Sequence, residues 1–376
     1  MLIQTFYPAI GGAEKQALNL SIELISRGIK VLVLTRKIEG TKETETISGV
    51  VVQRLKTIGR GHIDSLFFMI SSFVYLIKHS KDYEIIHVHL ASSLAIAAIL
   101  AGKLLGKKVI IKMGGGKGLN EIGLSEKSGF GKMKLGFFSL TKSTFLVLNK
   151  DILNWLKTTQ LKKSELLLFK NGVDTGKYAP LLYNEKIKAK TKFNFDGKLV
   201  FLFVGRLSPE KRIMEFIEVW SELTGETGFT DKAVLHIVGP GPLENEIKES
   251  IKKLGIESSV IMAGKQYELK DYYAAADIFV LPSISSEGLS NSMLEAMSCG
   301  LAIMASKVGG AKEAVEENVN GFLFDQFNIK DIKKIIMKFI ETDKLALEMG
   351  EKSREITVKR YSVSKVTDEL LKIYNI

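Results

Sequence analysis

Residues 278–310 read IFVLPSISSEGLSNSMLEAMSCGLAIMASKVGG. The run Ile278–Leu281 is short and wholly apolar, the pattern of a strand buried on both faces of a parallel sheet. Pro282 ends it, and residues 283–286 read as a loop. Glu287 sits on that loop, with Gly288 behind it to let backbone approach a ligand closely. Ser292–Gly300 reads as a helix entered by Ser-x-x-Glu, with Ser292 and Glu295 as the pair. Leu301–Ala305 is a second apolar strand, and Gly309-Gly310 closes the unit. One carboxylate therefore stands at a strand's carboxyl end, and the other in the first turn of the next helix. Ligands bind at that crevice in open α/β sheets. Two plainer readings stand beside this one. Glu295 also fits as the reciprocal partner of a capping box, and Glu287 as a solvated loop acid.

Upstream, Lys198–Val204 is a strand, followed by Gly205-Arg206-Leu207-Ser208-Pro209-Glu210-Lys211-Arg212. Ser208 suits a helix cap and Pro209 the first helical position. Arg206 and Lys211 then lie at a strand end and a helix start, facing the same crevice as Glu287. Two fixed cations suit a diphosphate, Arg as a bidentate donor and Lys as a point charge. Ala233–Val238 is a strand running into Gly239-Pro240-Gly241-Pro242. Glu244 occupies the third glycine position of Gly-x-Gly-x-x-Gly, so the match to a nicotinamide site is weak. Val260–Ala263 is another strand, with Gly264-Lys265 after it. Asp271–Ala276, Asp331–Glu341 and Val366–Tyr374 read as helices.

The first half opens with strand Leu2–Phe6, a loop through Gly11-Gly12, helix Ala13–Arg27 closed by Gly28, and strand Lys30–Thr35. This βαβ opening signals a parallel sheet, and paired glycines at a helix start form a general anion site. Val50–Lys56, Ile85–Leu90, Lys107–Met113 and Phe145–Asn149 are further strands. His87 and His89 share a face. A metal would need more ligands than the pattern places, so packing or hydrogen bonding is the expectation. The run Gly114-Gly115-Gly116-Lys117-Gly118 fits either amides offered to a ligand or a mobile loop. Residues 117–142 mix Lys117, Lys127, Lys132, Lys134 and Lys142 with Phe130, Met133, Leu135, Phe137, Phe138 and Leu140. That mixture suits an interfacial amphipathic segment and equally a helix packed on the sheet. Residues 176–196 are polar and lysine-rich and read as a linker. The expected domains are therefore residues 1–175 and 197–359, with a last helix at about 360–376 crossing back to the first.

A chain of 376 residues with 45% hydrophobic and 25% charged residues is long and apolar enough for two cored domains. The one cysteine, Cys299, excludes an internal disulfide framework and fits a reducing cytoplasm. It reads as a small buried residue rather than a nucleophile. The start, MLIQTFYPAIGG, lacks a basic n-region and a long apolar core, so it does not read as a signal peptide. The apolar stretches Leu66–Ile77 and Leu94–Ala101 fall short of the roughly 20 residues that span a bilayer. Net charge is +11, with 25 bases against 13 acids in residues 1–175 and 28 against 29 beyond them. The basic half implies an anionic partner such as membrane phospholipid or a lipid diphosphate. Nucleic acid is not expected, because no binding motif accompanies the charge.

The spacing Glu287-x7-Glu295, within Pro-Ser-x-x-x-Glu-Gly and Glu-Ala-Met-x-x-Gly, resembles the retaining glycosyltransferases of family 4, also called group 1. Phe-Tyr-Pro-x-x-Gly-Gly-Ala-Glu at residues 6–14, Gly-Arg-Leu-x-x-x-Lys at 205–211 and Asn-Gly-Val-Asp at 171–174 resemble the same family. Lys170 stands where relatives carry proline, and Met113 where many carry a histidine. The first strand also lacks a few apolar residues that family members carry before it. The resemblance implies the GT-B fold: two Rossmann-like, doubly wound α/β domains of parallel sheet facing a central cleft. It implies a UDP- or GDP-sugar donor, with no other cofactor and no metal. Arg206 and Lys211 would stabilise the leaving diphosphate, and Glu287 would hold sugar hydroxyls. Glu295 would take the ribose hydroxyls, and the Leu289 and Ser290 amides the phosphates. Gly11, Gly12, Gly239, Gly241, Gly264 and Lys265 would line the donor. The acceptor would be a glycan or polyprenyl-diphosphate-linked sugar in polysaccharide or lipopolysaccharide synthesis, at the inner face of the plasma membrane. The rivals are a nucleotide-sugar epimerase of the same shape, a nicotinamide oxidoreductase and a non-catalytic membrane-binding protein.

Overall fold

The computed structural model describes residues 1–9, 11–59, 61–115, 121–126, 129–141, 143–284, 288–325 and 328–376. The chain divides into two compact units. The first joins Met1–Gly172 to Val363–Ile376, and the second is Val173–Ser362.

The strands of the first unit are β1 (Leu2–Ile3), β2 (Leu32–Arg36), β3 (Thr44–Ile47), β4 (Val50–Leu55), β5 (Ile85–His89), β6 (Lys108–Lys112), β7 (Thr144–Val147) and β8 (Glu165–Leu168). They form one sheet in the order β3-β4-β2-β1-β5-β6-β7-β8. Only β3 runs antiparallel, against β4. Its sequence, TETI, is polar and alternates between exposed and half-buried positions, as an edge strand tolerates. That is why no apolar run announced it. The helices are α1 (Gly12–Ser26), α2 (Gly61–Lys78), α3 (Leu94–Leu105), α4 (Glu121–Glu126), α5 (Gly129–Thr141) and α6 (Lys150–Leu156). A last helix, Val363–Tyr374, packs beside α1 and buries Val366, Leu370 and Tyr374. Arg27 donates to Asp368 across that pair at 2.6 Å.

The second unit begins with α7 (Tyr183–Lys192). It continues through β9 (Leu199–Val204), α8 (Ile213–Leu223), α9 (Phe229–Lys232), β10 (Ala233–Val238), α10 (Glu244–Leu254), β11 (Val260–Gly264) and α11 (Lys270–Ala275). Then come β12 (Ile278–Leu281), α12 (Asn291–Ser298), β13 (Ala302–Ser306), α13 (Ala311–Ala314), β14 (Gly321–Phe324), α14 (Ile329–Glu341) and α15 (Leu345–Arg360); the helix Val363–Tyr374 is then α16. The sheet is wholly parallel, in the order β11-β10-β9-β12-β13-β14. Successive side chains of a strand point to opposite faces. Phe201 and Phe203 therefore enter one core layer, with Trp220 and Phe339, while Leu202 and Val204 enter the other, with Phe279 and Met293. Two apolar layers explain why these strands read as unbroken hydrophobic runs.

Three expectations need correction. Residues 176–196 are not a free linker, because α7 is pinned to the second sheet. Its Lys186 and Lys190 ammonium groups lie 2.8 and 2.7 Å from the buried Asp277 carboxylate, which also accepts from the Val200 amide at 2.9 Å. Burial alone would raise the Asp277 pKa, but the two lysines outweigh it and hold the group below its ordinary value. The boundaries accordingly fall at 172/173 and 362/363. Finally, α12 starts at Asn291, and its cap is Ser290, whose hydroxyl accepts from the Met293 amide at 3.3 Å. Ser292 is inside the helix, so the capping-box reading of Glu295 fails.

Candidate active site

The strand order reverses between β9 and β12, where one crossover leads to β10 and the other side of β9 receives β12. At such a switch point the loops leaving neighbouring strands diverge and leave a crevice. The loop after β9 holds Gly205, the exposed Arg206, and a 3-10 turn over Pro209–Lys211. Arg212 follows with φ of 51°, a left-handed conformation that stops the turn and starts α8. The Ile284 amide donates to the Glu210 carbonyl at 2.9 Å, which ties the β9 loop to the β12 loop. Glu210 reports the local field. Burial raises its pKa, yet the Ser208 hydroxyl, its own backbone amide and the charges of Lys211 and Arg206 bring it below the ordinary value. Arg206 and Lys211 thus act on one spot at the mouth of the switch point.

Glu287, the other carboxylate of the motif, lies outside the described residues, as do Gly116, Lys117, Gly118, Lys127 and Lys142. Leu289 and Ser290 are buried just ahead of α12. The Gly310 amide donates to the Gly288 carbonyl at 2.8 Å, and a β-carbon on Gly310 would fall 2.3 Å from that oxygen. The Gly-Gly pair therefore lets the loop after β13 lie directly against the loop that leads into α12.

Glu295 is 5% exposed and accepts a 2.8 Å hydrogen bond from the Tyr273 hydroxyl. Tyr178 packs edge-on against Tyr273, with centroids 5.8 Å apart. Burial first, and then the Glu295 charge, hold both phenols above their ordinary pKa. They stay protonated and serve as donors. Neither tyrosine was singled out from the sequence. Tyr178 lies 117 positions from Glu295, and Tyr273 stands in an ordinary helical Asp-Tyr-Tyr, so no local pattern marks them. Cys299 is half-buried beside this group, and burial pushes its thiol up to about 12. That suits packing and not nucleophilic attack.

Gly239 and Gly241 have a structural cause. A β-carbon on Gly239 would fall 1.9 Å from the Gly205 carbonyl oxygen, and one on Gly241 would fall 2.1 Å from that of Leu207. The Leu207 amide donates to Pro240 at 2.8 Å, and the Leu243 amide to Leu207 at 3.1 Å. These glycines seat the β10 loop directly on the Arg206 loop. Gly264 ends β11 with φ of 64°, and the exposed Lys265 lies over the Tyr267 ring at 4.7 Å.

In the first unit, Gly11 and Gly12 are exposed at the start of α1, whose first turn has no side-chain cap. Its early amides point at whatever lies ahead of the helix. His87 and His89 are buried and stacked at 4.6 Å, and His87 Nδ1 lies 2.6 Å from the Tyr374 hydroxyl. Burial holds both imidazoles well below their ordinary pKa. They pack inside the sheet, and among the described residues no cluster could hold a metal ion. Met113, where the family's histidine would stand, is buried in the core. Of the segment 117–142, Leu135 and Phe138 are core and Lys134 is buried, donating to the Ala91 carbonyl at 3.2 Å. Only Lys132, Met133 and Leu140 of its described side chains project outward.

Two parallel-sheet α/β units, each with loops gathered at strand carboxyl ends, define the GT-B class. The model described as "Glycosyl transferases group 1" matches residues 184–356, and the "Glycosyltransferase Family 4" model matches residues 10–177. The chain belongs to this family of glycosyltransferases. It is 25% identical over 303 residues to the UDP-Gal:alpha-D-GlcNAc-diphosphoundecaprenol alpha-1,3-galactosyltransferase of Escherichia coli, covering 80% of this chain and 77% of that one. It is 22% identical over 376 residues to the N-acetyl-alpha-D-glucosaminyl L-malate synthase of Bacillus anthracis, covering 98% and 95%. Among solved structures, the HepE protein of Anabaena in complex with UDP matches with a TM-score of 0.78 at 18% identity, over 100% of this chain and 98% of that one.

Proposed function

We propose that the protein is a retaining glycosyltransferase of the hexosyltransferase type. It moves a sugar from a UDP- or GDP-sugar to a glycan or polyprenyl-diphosphate-linked acceptor, in cell-surface polysaccharide or lipopolysaccharide synthesis. The observation that carries this reading is the pair Arg206 and Lys211, held on one short loop at the β9–β12 switch point. Breaking the anomeric bond leaves charge on the departing diphosphate, and stabilising that charge is the main catalytic task. Two fixed cations perform it without a divalent metal or other cofactor. A unit-charge pair at 4 Å is worth roughly 4 kcal/mol at an effective dielectric near 20, before desolvation.

Glu295, oriented by Tyr273, takes the ribose hydroxyls. Glu287 holds the sugar. The Leu289 and Ser290 amides hold phosphate oxygens beside the α12 start. Gly239, Gly241, Gly264 and Lys265 shape the nucleotide's side of the crevice, and Gly11 and Gly12 present α1 amides to the donor. The basic first unit takes an anionic acceptor, which the diphosphoundecaprenol named for the Escherichia coli relative supports. Among the described residues no helix is long and apolar enough to cross a membrane. The enzyme works from the cytoplasmic side, peripheral on the inner face of the plasma membrane.

A thermal-shift screen against UDP- and GDP-sugars tests the donor. A bound donor at about 100 times its Kd adds about 2.7 kcal/mol of apparent stability. No shift with any nucleotide sugar overturns the reading. Turnover that survives EDTA and an anomer matching the donor's are the expected companions. A chelator-sensitive rate or an inverted product would remove the metal-free or the retaining part. Transfer to malate-like small acids in place of a lipid diphosphate would remove the acceptor.

A further inference from the structure

Helix α2 carries two faces that are both apolar. Phe68 and Leu76 are buried, with Asp64 and Ser72, at four-residue spacing. On the opposite side Ile63, Leu66, Phe67, Ile70 and Val74 follow the helical repeat and are 40–60% exposed. A surface helix ordinarily turns charged residues outward. Here no charge interrupts the stripe from Ser65 to Ile77. Helix α3, which packs against α2, exposes Leu100 and Leu104, the latter by 70%, and α5, which packs against α3, exposes Met133 and Leu140. Single exposed apolar residues are normal, but a contiguous stripe marks an interaction site.

The exposed charges on these three helices are of one sign, and the acid that follows α2, Asp82, is taken up by His79 at 3.0 Å. Helices α2, α3 and α5 contain one acid, Asp64, which is buried against Arg36. Their exposed charged residues are Lys78, Lys103 and Lys132. We propose that this face lays α2 along an anionic lipid bilayer, apolar side chains in the headgroup boundary and lysines on the phosphates. An amphipathic interfacial helix needs those two features together. Lysines beside the apolar stripe find counter-charges on an anionic surface, whereas the same face of a second copy offers no exposed acid on these helices. The proposal deepens the peripheral placement given above and rests on it. It moves the docking element from residues 117–142 to α2 and α3.

The test is sedimentation with vesicles of phosphatidylcholine alone and of equal parts phosphatidylcholine and phosphatidylglycerol, at low and high salt. Wild-type protein is expected to bind the anionic vesicles at least about tenfold more tightly than the neutral ones. The exposed pair I70E/V74E is expected to lower that binding by about tenfold or more, with its circular dichroism unchanged. Charge reversal in K78E/K103E should weaken binding at low salt, by about fivefold per lysine, and matter little at high salt. If I70E/V74E binds as wild type does, the face is wrong although peripheral binding stands. If wild type itself ignores anionic vesicles, the peripheral placement falls. If I70E/V74E halves the mass of a wild-type dimer that ignores vesicles, the face is a self-interface and the proposal is overturned. The donor thermal shift, run on the same proteins, reports the transferase reading separately.

Discussion

The two sheets differ in where they put their fixed charges. In the second unit the strands β10, β12 and β13 are buried throughout and hold only His236 and Ser306 as polar side chains, while the cations Arg206 and Lys211 sit on a loop beyond the end of β9. Backbone hydrogen bonds and close glycine contacts bind that loop to its neighbours. In the first unit polar groups sit inside the strands. His87, His89, Lys112 and Thr35 are all at most 4% exposed. Ladder register places Lys112 beside His89 on adjacent strands. A loop-borne charge keeps access to water and ligand at low cost, whereas a strand-borne one must be desolvated. The second unit is thus shaped to present charge, and the first carries a polar seam that costs stability.

The sharpest way to break this contrast is to remove the presented charge. Arg206→Ala and Lys211→Ala should each lower kcat by about 10²-fold, the effect of losing one donor to developing charge. Melting temperature should stay near wild type, since Arg206 is exposed and Lys211 is half-exposed on its loop. Steady-state kinetics with a nucleotide sugar checks the rate, and calorimetry the fold. A variant that melts early with intact kcat would mean the cations are structural.

Lys112 tests the other half. Its ammonium has no hydrogen-bond partner among the described residues and lies 5.4 Å from the Phe169 ring centroid. Burial lowers its pKa from 10.5 to about 7. Between those values the unfolded chain holds a proton that the folded chain lacks, so stability rises with pH across that window. Below about 7 the folded state must carry a buried charge, and the gain is absent. Lys112→Met should therefore stabilise the first unit at pH 7 by about 1–4 kcal/mol and flatten its pH dependence. Unfolding followed from pH 6 to 10 measures both. A destabilised, still pH-dependent Lys112→Met protein would show that the seam contributes something the described contacts do not contain.

How much was legible follows the same division. The second unit's strands are apolar on both faces, so Ile278–Leu281 and Ala233–Val238 matched the observed β12 and β10 residue for residue. The Arg206 and Glu295 motifs depend on residues close in sequence, and such spacing is readable. Helix α15 was missed because the residues it buries include Gly350, Ser353 and Thr357. Gly350 lets that helix touch the Gly300 carbonyl, where a β-carbon would fall 2.0 Å away. Small and polar contacts of this kind leave no hydrophobic period. Helix α7 looked like a linker for a related reason: its lysines serve a carboxylate more than eighty residues away. The α2 stripe was visible only as an apolar run too short to span a bilayer. Which side of it faces outward is a property of packing, and no sequence period distinguishes two apolar faces.

The smallest effect belongs to a residue that no motif marks. Tyr273 donates to Glu295 Oε2, and its phenol is itself fully buried. Replacing it by Phe leaves the ring packing and removes one hydrogen bond to a carboxylate, a change worth about 1.5–3 kcal/mol at most. Part of that loss falls on folding, and Tyr178 remains beside the same carboxylate to absorb some of it. What remains is orientation. If Glu295 holds the ribose, Tyr273→Phe should raise the donor KM several-fold and leave kcat nearly unchanged, because the ribose contact is equal in ground and transition states. The ratio should be flat from pH 6 to 9, since burial keeps the phenol protonated there. Glu295→Gln should give a larger KM effect of the same kind. A fall in kcat with KM intact would place Glu295 nearer the breaking bond than the ribose, and the two loops at the switch point would exchange roles.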